Sequence, residues 1–155
     1  MSLIVFNGKF LAQPLTGVQR AALELLRALD ADLAARPGGP VSRWELLHPP
    51  VADAPRWQVL QARTVPLPAL LPTRLHLWEQ WCLPRAAAGA SRLVHLAGSG
   101  SWQGAERACA MLHDAAVFDH ADGYRPAFVA WYRQLFRRFG RRAVLRLTPS
   151  VFSRE

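Results

Sequence analysis

The sequence predicts an α/β fold, with a mainly parallel sheet and helices on both of its faces. Apolar runs of four to eight residues recur along the 155-residue chain, bounded by polar signals, as is typical of buried strands. Segments with helical periodicity separate several of these runs, and this alternation indicates parallel pairing. Hydrophobic residues make up 51% of the chain, which indicates a globular protein. We expect a single domain over residues 1–155.

The N-terminal part predicts a strand, a loop and a helix. Leu3–Phe6 is the first apolar run, and 7–10 turns out of it. Thr16 and Gln19 have the spacing of a capping box, which predicts that a helix begins there. One face of this helix collects the apolar positions Val18, Ala22, Leu25, Leu26, Leu29 and Leu33. The helix is expected to stop before the Pro- and Gly-rich run 36–40.

The middle of the chain predicts three extended segments and a second helix. Trp44–His48 reads as a strand closed by two prolines, and Arg56–Val65 as a further extended segment because polarity alternates within it. A helix is expected over Arg74–Leu83, ending near Pro84. Its buried face would carry Leu75, Trp78 and Cys82. Arg92–Ala97 predicts the next strand, and a glycine- and serine-rich loop follows it.

The C-terminal part predicts two more strands with a long helix between them. Ala108–Leu112 and Val144–Leu147 are the strands, and Pro126 suits the first turn of a helix that runs to about Phe139. One side of this helix carries Phe128, Trp131, Tyr132, Leu135 and Phe139. The other side carries Arg133, Arg137, Arg138 and Arg141. A further helix is expected to begin at the N-cap Ser150.

Polar residues at the ends of these strands form a candidate site. In open α/β sheets, ligands bind in the crevice beyond the carboxyl ends of the strands. His113 and Asp114 lie there, and Ser99, in the loop after the preceding strand, is a candidate substrate-binding residue at the same edge. The helix that follows Thr16 offers backbone N–H groups for an anion or a sugar. The alternative is that His113 and Asp114 only cap a strand. We expect structural roles for His48, His76 and His95.

The net charge of +8 comes almost entirely from one end of the chain. Residues 123–155 hold eight arginines and one acidic residue, whereas residues 1–122 hold eleven basic and ten acidic residues. A local basic surface favours anionic partners. No nucleic-acid-binding motif accompanies the arginines, so nucleic acid is not an expected partner. Two interpretations stay open for the long helix: a solvated face, or contact with an anionic membrane through Arg133, Arg137, Arg138 and Arg141.

The sequence disfavours several other classes of protein and site. Cys82 and Cys109 lack the CxxC spacing of zinc sites and do not indicate a disulfide framework. No apolar run reaches the roughly 20 residues that span a bilayer, and the N-terminus lacks a signal-peptide pattern. We expect a cytoplasmic location, with peripheral attachment to the inner face of the membrane left open. Asp30 and Asp32 lie in mid-helix, and the Asp- and His-rich segment 113–122 reads as a solvated loop. We therefore expect no metal and no organic cofactor.

Several short motifs occur in a recognisable order between the first strand and the last residue. They are Asn7–Phe10 with Leu15–Arg20, Trp78–Gln80 with Leu83–Arg85, Leu112–Asp114, Pro126–Phe128 with Trp131–Tyr132, and Leu147–Arg154. In their order and spacing, the chain resembles the N-terminal half of family 4 glycosyltransferases, which are retaining enzymes of the GT-B fold. The resemblance covers nearly the whole chain and indicates no particular sugar.

This resemblance implies a Rossmann-like domain that faces a second one across a cleft. The present domain would hold mostly the acceptor, a saccharide or a lipid-linked saccharide. The second domain, which is absent from this chain, would hold the nucleotide sugar. The activity implied is hexosyl or mannosyl transfer in cell-surface polysaccharide or glycolipid assembly. The chain alone would be inactive, or nearly so, without the groups that stabilise a departing diphosphate.

The resemblance also implies roles for individual residues. Thr16 and Gly17 would border the donor diphosphate and the acceptor, and Arg20 matches a position that is often basic. His113 would lie beside the transferred sugar and hydrogen-bond a hydroxyl or support the leaving group. Asp114, the second expected catalytic residue, would orient its loop or contact acceptor hydroxyls. The alternative function is a non-catalytic basic α/β module that binds an anionic membrane or an acidic partner. The oligomeric state is left open.

Overall fold

A six-stranded parallel sheet forms the centre of the molecule in a computed structural model that describes residues 2–67, 75–114 and 116–149. The strands are β1 (Leu3–Asn7), β2 (Arg43–His48), β3 (Gln61–Thr64), β4 (Arg92–His95), β5 (Ala108–Met111) and β6 (Leu145–Leu147). Their order in the sheet is β3-β2-β1-β4-β5-β6, and every adjacent pair is parallel. This order is that of a Rossmann-like fold. The predicted α/β class, the parallel pairing and all six predicted extended segments are confirmed.

Helices cover both faces of the sheet, as expected. The helices are α1 (Gly17–Ala35), α2 (residues 75–86), α3 (Ala116–Asp119) and α4 (Pro126–Arg142). Helix α1 packs Ala22 and Leu26 with Phe6 and Val94 on one face. On the other face, α2 packs Trp78 and Leu83 with Val5, Leu47 and Leu93, and α4 packs Leu135 and Phe139 with Ala108 and Ala110. Alternate strand residues point to opposite faces, which divides the core into these two layers.

Helix α1 begins at the predicted capping box. The Gln19 side chain accepts hydrogen bonds from the backbone N–H of Thr16 at 3.3 Å and from the Thr16 hydroxyl. The predicted apolar face is wrong at Leu25, whose side chain is 45% exposed. Asp30 lies on the buried face instead, because its carboxylate accepts hydrogen bonds at 2.7–2.8 Å from three backbone N–H groups in the segment that leads into β3.

Helix α2 ends at Ala86, two residues beyond Pro84, near which the sequence predicted its end. It consists of an α-helical turn Leu75–Leu77, a π-helical segment Trp78–Cys82 and a final turn Leu83–Ala86. Proline in a regular helix clashes with the carbonyl group four residues earlier and offers no N–H. The wider π-helical turns just before Pro84 relieve this clash, so the helix continues. The expected helix start at Arg74 lies outside the described residues.

Helix α4 runs to Arg142 rather than to Phe139. The single Gly140 does not break the helix, and Arg141 and Arg142 interact favourably with the negative end of its dipole. Among the predicted apolar residues, Leu135 and Phe139 are buried, but Phe128 is 38% exposed. The helix predicted to begin at Ser150 lies outside the described residues.

The strand order places a crevice above the middle of the sheet. From β1 the chain moves outward to β2 and β3 through α1, and then returns through α2 to β4 on the other side of β1. The carboxyl ends of β1 and β4 are therefore the point at which the strand order reverses, where ligands bind in open α/β sheets. Asn7 and His95 are the last residues of these two strands.

Candidate functional site

A cleft of about 220 Å³ opens at the carboxyl edge of the sheet. Thr16 and Gln19 line it from the start of α1, and Ser99 from the loop after β4. His113 and Asp114 enter from the segment after β5. The structure thus brings together four of the six residues that the sequence nominated for catalysis or substrate binding. The other two, Gly17 and Arg20, lie on the first turn of α1, outside the described wall of the cleft.

His113 is half-buried, and its ring is anchored to the end of β4. Its Nε2 atom lies 2.7 Å from the Leu96 carbonyl oxygen. Because a carbonyl oxygen only accepts, Nε2 carries the proton of this hydrogen bond. The ring also lies against Gly98, which has a φ of +69°. Glycine adopts this left-handed conformation without strain, which lets the chain turn sharply into the cleft.

One wall of the cleft is aromatic. Tyr124, Phe128, Tyr132 and Phe136 line it. Successive ring centroids along this row are 5.3 Å, 4.3 Å and 5.8 Å apart. The Tyr124 and Phe128 side chains are 43% and 38% exposed, so ring surface remains open to a ligand. Aromatic faces beside polar groups suit a ligand that has both apolar and hydroxyl-bearing surfaces.

Beneath the cleft lies a buried polar network centred on Glu79, which sequence reasoning missed. Its Oε2 atom accepts a hydrogen bond from the Lys9 ammonium at 2.6 Å. Its Oε1 atom accepts from Asn7 Nδ2 at 2.7 Å and from the Ser99 hydroxyl at 2.9 Å. Asn7 Nδ2 also lies 3.1 Å from Nδ1 of His95. The network therefore joins the ends of β1 and β4 to α2 at the reversal point of the strand order.

Burial and charge shift the pKa values of these groups. Burial raises the pKa of the Glu79 carboxyl, but the charge and hydrogen bond of Lys9, together with His95 and the Asn7 hydrogen bond, lower the pKa below its usual value, so Glu79 is a carboxylate. Burial lowers the pKa of His95 to about 4, against the opposing effect of the Glu79 charge, so its ring is neutral. Burial and the Glu79 charge raise the pKa of Tyr132 to about 12, opposed by a hydrogen bond with Ser99.

Two features of the sequence could have pointed to this network. Lys9 is the only lysine of the chain, and it lies in the turn that follows the first strand. Glu79 is the only acidic residue of the predicted helix Arg74–Leu83, where it stands between tryptophan and glutamine. Lysine and glutamate are almost never fully buried unless they are paired. The pairing itself joins residues 70 positions apart, and no local pattern reveals it.

The arginines of α4 do not all share one solvent-exposed side, which corrects the prediction. Arg133 donates to the carbonyl oxygens of Val117 and Phe118 at 2.7 and 3.1 Å. Arg138 donates to the Trp102 carbonyl oxygen at 2.9 Å and lies over the Trp102 ring. Arg133 therefore ties α4 to helix α3, and Arg138 ties α4 to the segment between β4 and β5. Trp102, Gln134 and four arginines line a second concavity of about 320 Å³: Arg137, Arg138, Arg141 and Arg142.

Several further findings concern metals and membranes. In residues 2–67, 75–114 and 116–149, no cluster of three or more His, Cys, Asp or Glu side chains is placed to hold a metal ion. Asp30, one of the two aspartates of the helix, binds backbone N–H groups instead. None of the helices in this part of the chain is long and apolar enough to cross a membrane. No protein-family model, curated protein or solved structure matches the chain.

Proposed function

We propose that this domain is the acceptor-side half of a retaining, nucleotide-sugar-dependent hexosyltransferase of cell-surface polysaccharide or glycolipid assembly. One observation supports it above all. A cleft at the carboxyl edge of the parallel sheet gathers Thr16, His113 and Asp114, to which the sequence resemblance assigned substrate contacts, and Ser99, which its position after a strand nominated. Three separate segments of the chain supply these residues.

The chemistry of the cleft walls suits a saccharide. Hydroxyl, imidazole and carboxylate groups can exchange hydrogen bonds with sugar hydroxyls. The Phe128 and Tyr132 rings offer apolar faces on which the C–H side of a sugar ring can lie. In the proposed reaction, His113 hydrogen-bonds a hydroxyl of the transferred sugar, and Asp114 orients its loop or contacts the acceptor. The N-terminus of α1 borders the donor diphosphate.

The proposal includes a second, donor-binding domain. Breaking the bond between sugar and diphosphate requires preorganised groups that stabilise the departing negative charge. Within this proposal those groups belong to the second domain, so the 155-residue chain alone does not turn over substrate. The donor is a nucleotide sugar, and the acceptor is a saccharide or a lipid-linked saccharide.

A transfer assay on the complete gene product tests the proposal. The protein is incubated with radiolabelled UDP-glucose, UDP-galactose or GDP-mannose and a membrane extract that contains lipid-linked saccharides. We expect label in the saccharide fraction, and a loss of roughly 10²-fold or more in turnover for His113→Ala, the size of effect typical of a lost transition-state contact. His120→Ala, a change at an exposed histidine outside the described cleft wall, is the matched control. No transfer from any donor, or full turnover by His113→Ala, would contradict the proposal.

A specific observation favours a second candidate function, which is attachment to an anionic membrane. Four guanidinium groups line the concavity of about 320 Å³, and no carboxylate lies among its described lining residues. Each basic residue near an anionic bilayer contributes about 1 kcal/mol to binding. Membrane attachment fits either of two alternatives. In the first, the domain transfers a sugar to a lipid-linked acceptor at the membrane; in the second, the domain is a non-catalytic module whose function is the attachment.

Vesicle co-sedimentation tests this second candidate. The vesicles contain phosphatidylcholine with about 30% phosphatidylglycerol, and binding is measured at low and high salt. A triple change to Gln at Arg137, Arg141 and Arg142 is expected to weaken binding by about 100-fold. The control carries three changes to Gln at exposed arginines elsewhere: Arg27, Arg36 and Arg56. Equal loss in both variants would show that only net charge matters, and would contradict a defined arginine surface.

A further inference from the structure

The loop after β4 is clamped by two consecutive residues of α2. The Glu79 carboxylate accepts the Ser99 hydroxyl at 2.9 Å. The Gln80 amide donates to the Gly100 carbonyl oxygen at 2.9 Å and accepts from the Trp102 backbone N–H at 2.8 Å. Gln80 thus fixes the backbone of the loop, whereas Glu79 fixes the side chain of a residue that lines the cleft. Both residues lie in the π-helical segment Trp78–Cys82, and π-helical segments are frequent at functional sites.

The Lys9–Glu79 pair lies out of reach of a ligand in the cleft. The two side chains are 3% and 1% exposed, and neither is among the described residues that line the cleft. Replacing a buried ion pair with apolar side chains is often neutral for stability or even stabilising. Stability alone therefore does not account for two buried charges at this point of the fold. An apolar pair could not supply the carboxylate oxygens, which accept hydrogen bonds from Asn7 and Ser99 in a defined geometry.

Ser99 connects this buried pair to the wall of the cleft. Its hydroxyl has a single proton, which it gives to Glu79. The Ser99 side chain lines the cleft together with Tyr132, the ring at the centre of the aromatic wall. A continuous chain of hydrogen bonds thus runs from Lys9 through Glu79 to Ser99 at the cleft wall.

We propose that Glu79 is a positioning residue for acceptor binding. It fixes Ser99, and through Ser99 the 98–101 loop, in the arrangement that the acceptor requires. This role rests on the proposed function and assigns part of acceptor recognition to a residue that does not touch the acceptor. Lys9 keeps the carboxylate charged and aimed at Ser99. Loss of the carboxylate oxygens leaves the Ser99 hydroxyl without its acceptor, and the cleft wall loosens.

Two double variants separate positioning from stability. Lys9→Met with Glu79→Gln removes both charges but keeps an oxygen that accepts from Ser99 and Asn7. Lys9→Met with Glu79→Met removes both charges and that oxygen at similar volume. Both variants lack the ion pair, so a purely structural role predicts the same behaviour for the two. A positioning role predicts that only the Met–Met variant is impaired.

Two readouts are measured on the complete gene product. The first is the KM for the lipid-linked saccharide. We expect this KM to rise about tenfold in the Met–Met variant (Lys9→Met/Glu79→Met) and less than about threefold in the Met–Gln variant (Lys9→Met/Glu79→Gln). The change in kcat should be smaller than the change in KM. The second is amide hydrogen exchange in the segment 98–101, which we expect to quicken about tenfold in the Met–Met variant alone. Ser99→Ala keeps the Lys9–Glu79 pair and should reproduce both effects, so the role stays testable if a double variant does not fold.

The outcomes distinguish this role from the proposed function. Unchanged KM and unchanged loop exchange in the Met–Met variant would overturn the positioning role. Equal impairment of both double variants would also overturn it, because the lost ion pair would then be the cause. A gene product without any transfer activity would defeat the proposed function, and loop exchange, which needs no turnover, would still decide whether Glu79 holds the cleft wall.

Discussion

Breaking the Lys9–Glu79 pair on one side should cost the protein a large part of its stability. The two charged atoms are 2.6 Å apart, and both side chains are almost fully buried. Removing one member of such a pair typically costs about 3–5 kcal/mol, because the other charge stays buried without compensation. Glu79→Met leaves the Lys9 ammonium buried without a carboxylate and also removes the hydrogen-bond acceptor of Asn7 and Ser99. We therefore expect the free energy of unfolding to fall by about 5 kcal/mol. Lys9→Met leaves the carboxylate with those two donors, so we expect about 3 kcal/mol.

The free energy of unfolding from urea denaturation measures these losses. For a domain of this size, they correspond to a fall in Tm of roughly 6–20 °C. The double variant Lys9→Met/Glu79→Met should lose less than either single variant, because no charge is left unpaired. Losses below about 1 kcal/mol in both single variants, or a double variant as unstable as the sum of the two, would contradict a strongly coupled buried ion pair.

Three further predictions concern residues outside the ion pair. The pKa of His95 is about 4 in the folded protein and about 6.5 in the unfolded chain, so the free energy of unfolding should fall by about 3 kcal/mol as the pH drops from 6.5 to 4. Urea denaturation measures this pH profile, and His95→Gln should flatten this part of it. Gly100→Ala would place a Cβ atom 2.7 Å from the His95 ring and should lower the free energy of unfolding by about 1–3 kcal/mol. Gly123→Ala, whose Cβ atom would have no other atom within 4 Å, should be neutral, and equal effects of the two variants would contradict this prediction. Asp30→Ala removes the acceptor of three backbone N–H groups and should cost about 3 kcal/mol in the same assay, with the exposed Asp32→Ala near zero as its control.

The strands and the layer arrangement were predictable because they depend on local patterns. Apolar runs between turn signals marked the six strands, and the capping box of Thr16 and Gln19 marked the start of α1. Predictions were wrong where other interactions override such patterns. Asp30 lies on the buried face of α1 because three backbone N–H groups bind its carboxylate, whereas Leu25 is exposed. Helix α2 reaches Ala86 because π-helical turns precede Pro84.

The candidate site was predictable only in part, for a physical reason. Residues that follow parallel strands meet at one edge of the sheet, so the convergence of Ser99, His113 and Asp114 follows from their positions after β4 and β5. The network around Glu79 does not follow in this way, because its members come from β1, α2 and β4 and are held together by pairing across the core. The helical pattern of α4 likewise could not show that Arg133 holds the carbonyl oxygens of another segment.

The most direct test of the account is to map sugar binding onto the cleft. The ¹⁵N-labelled protein is titrated with methyl α-D-glucopyranoside and methyl α-D-mannopyranoside, and amide shifts are followed by NMR. If the cleft binds a saccharide, saturable shifts are expected at Thr16, Ser99 and His113 with either or both sugars, and these shifts are lost in His113→Ala but not in His120→Ala. Shifts absent from these residues at saturating sugar, or confined to the arginine-lined concavity near Arg141, would contradict it.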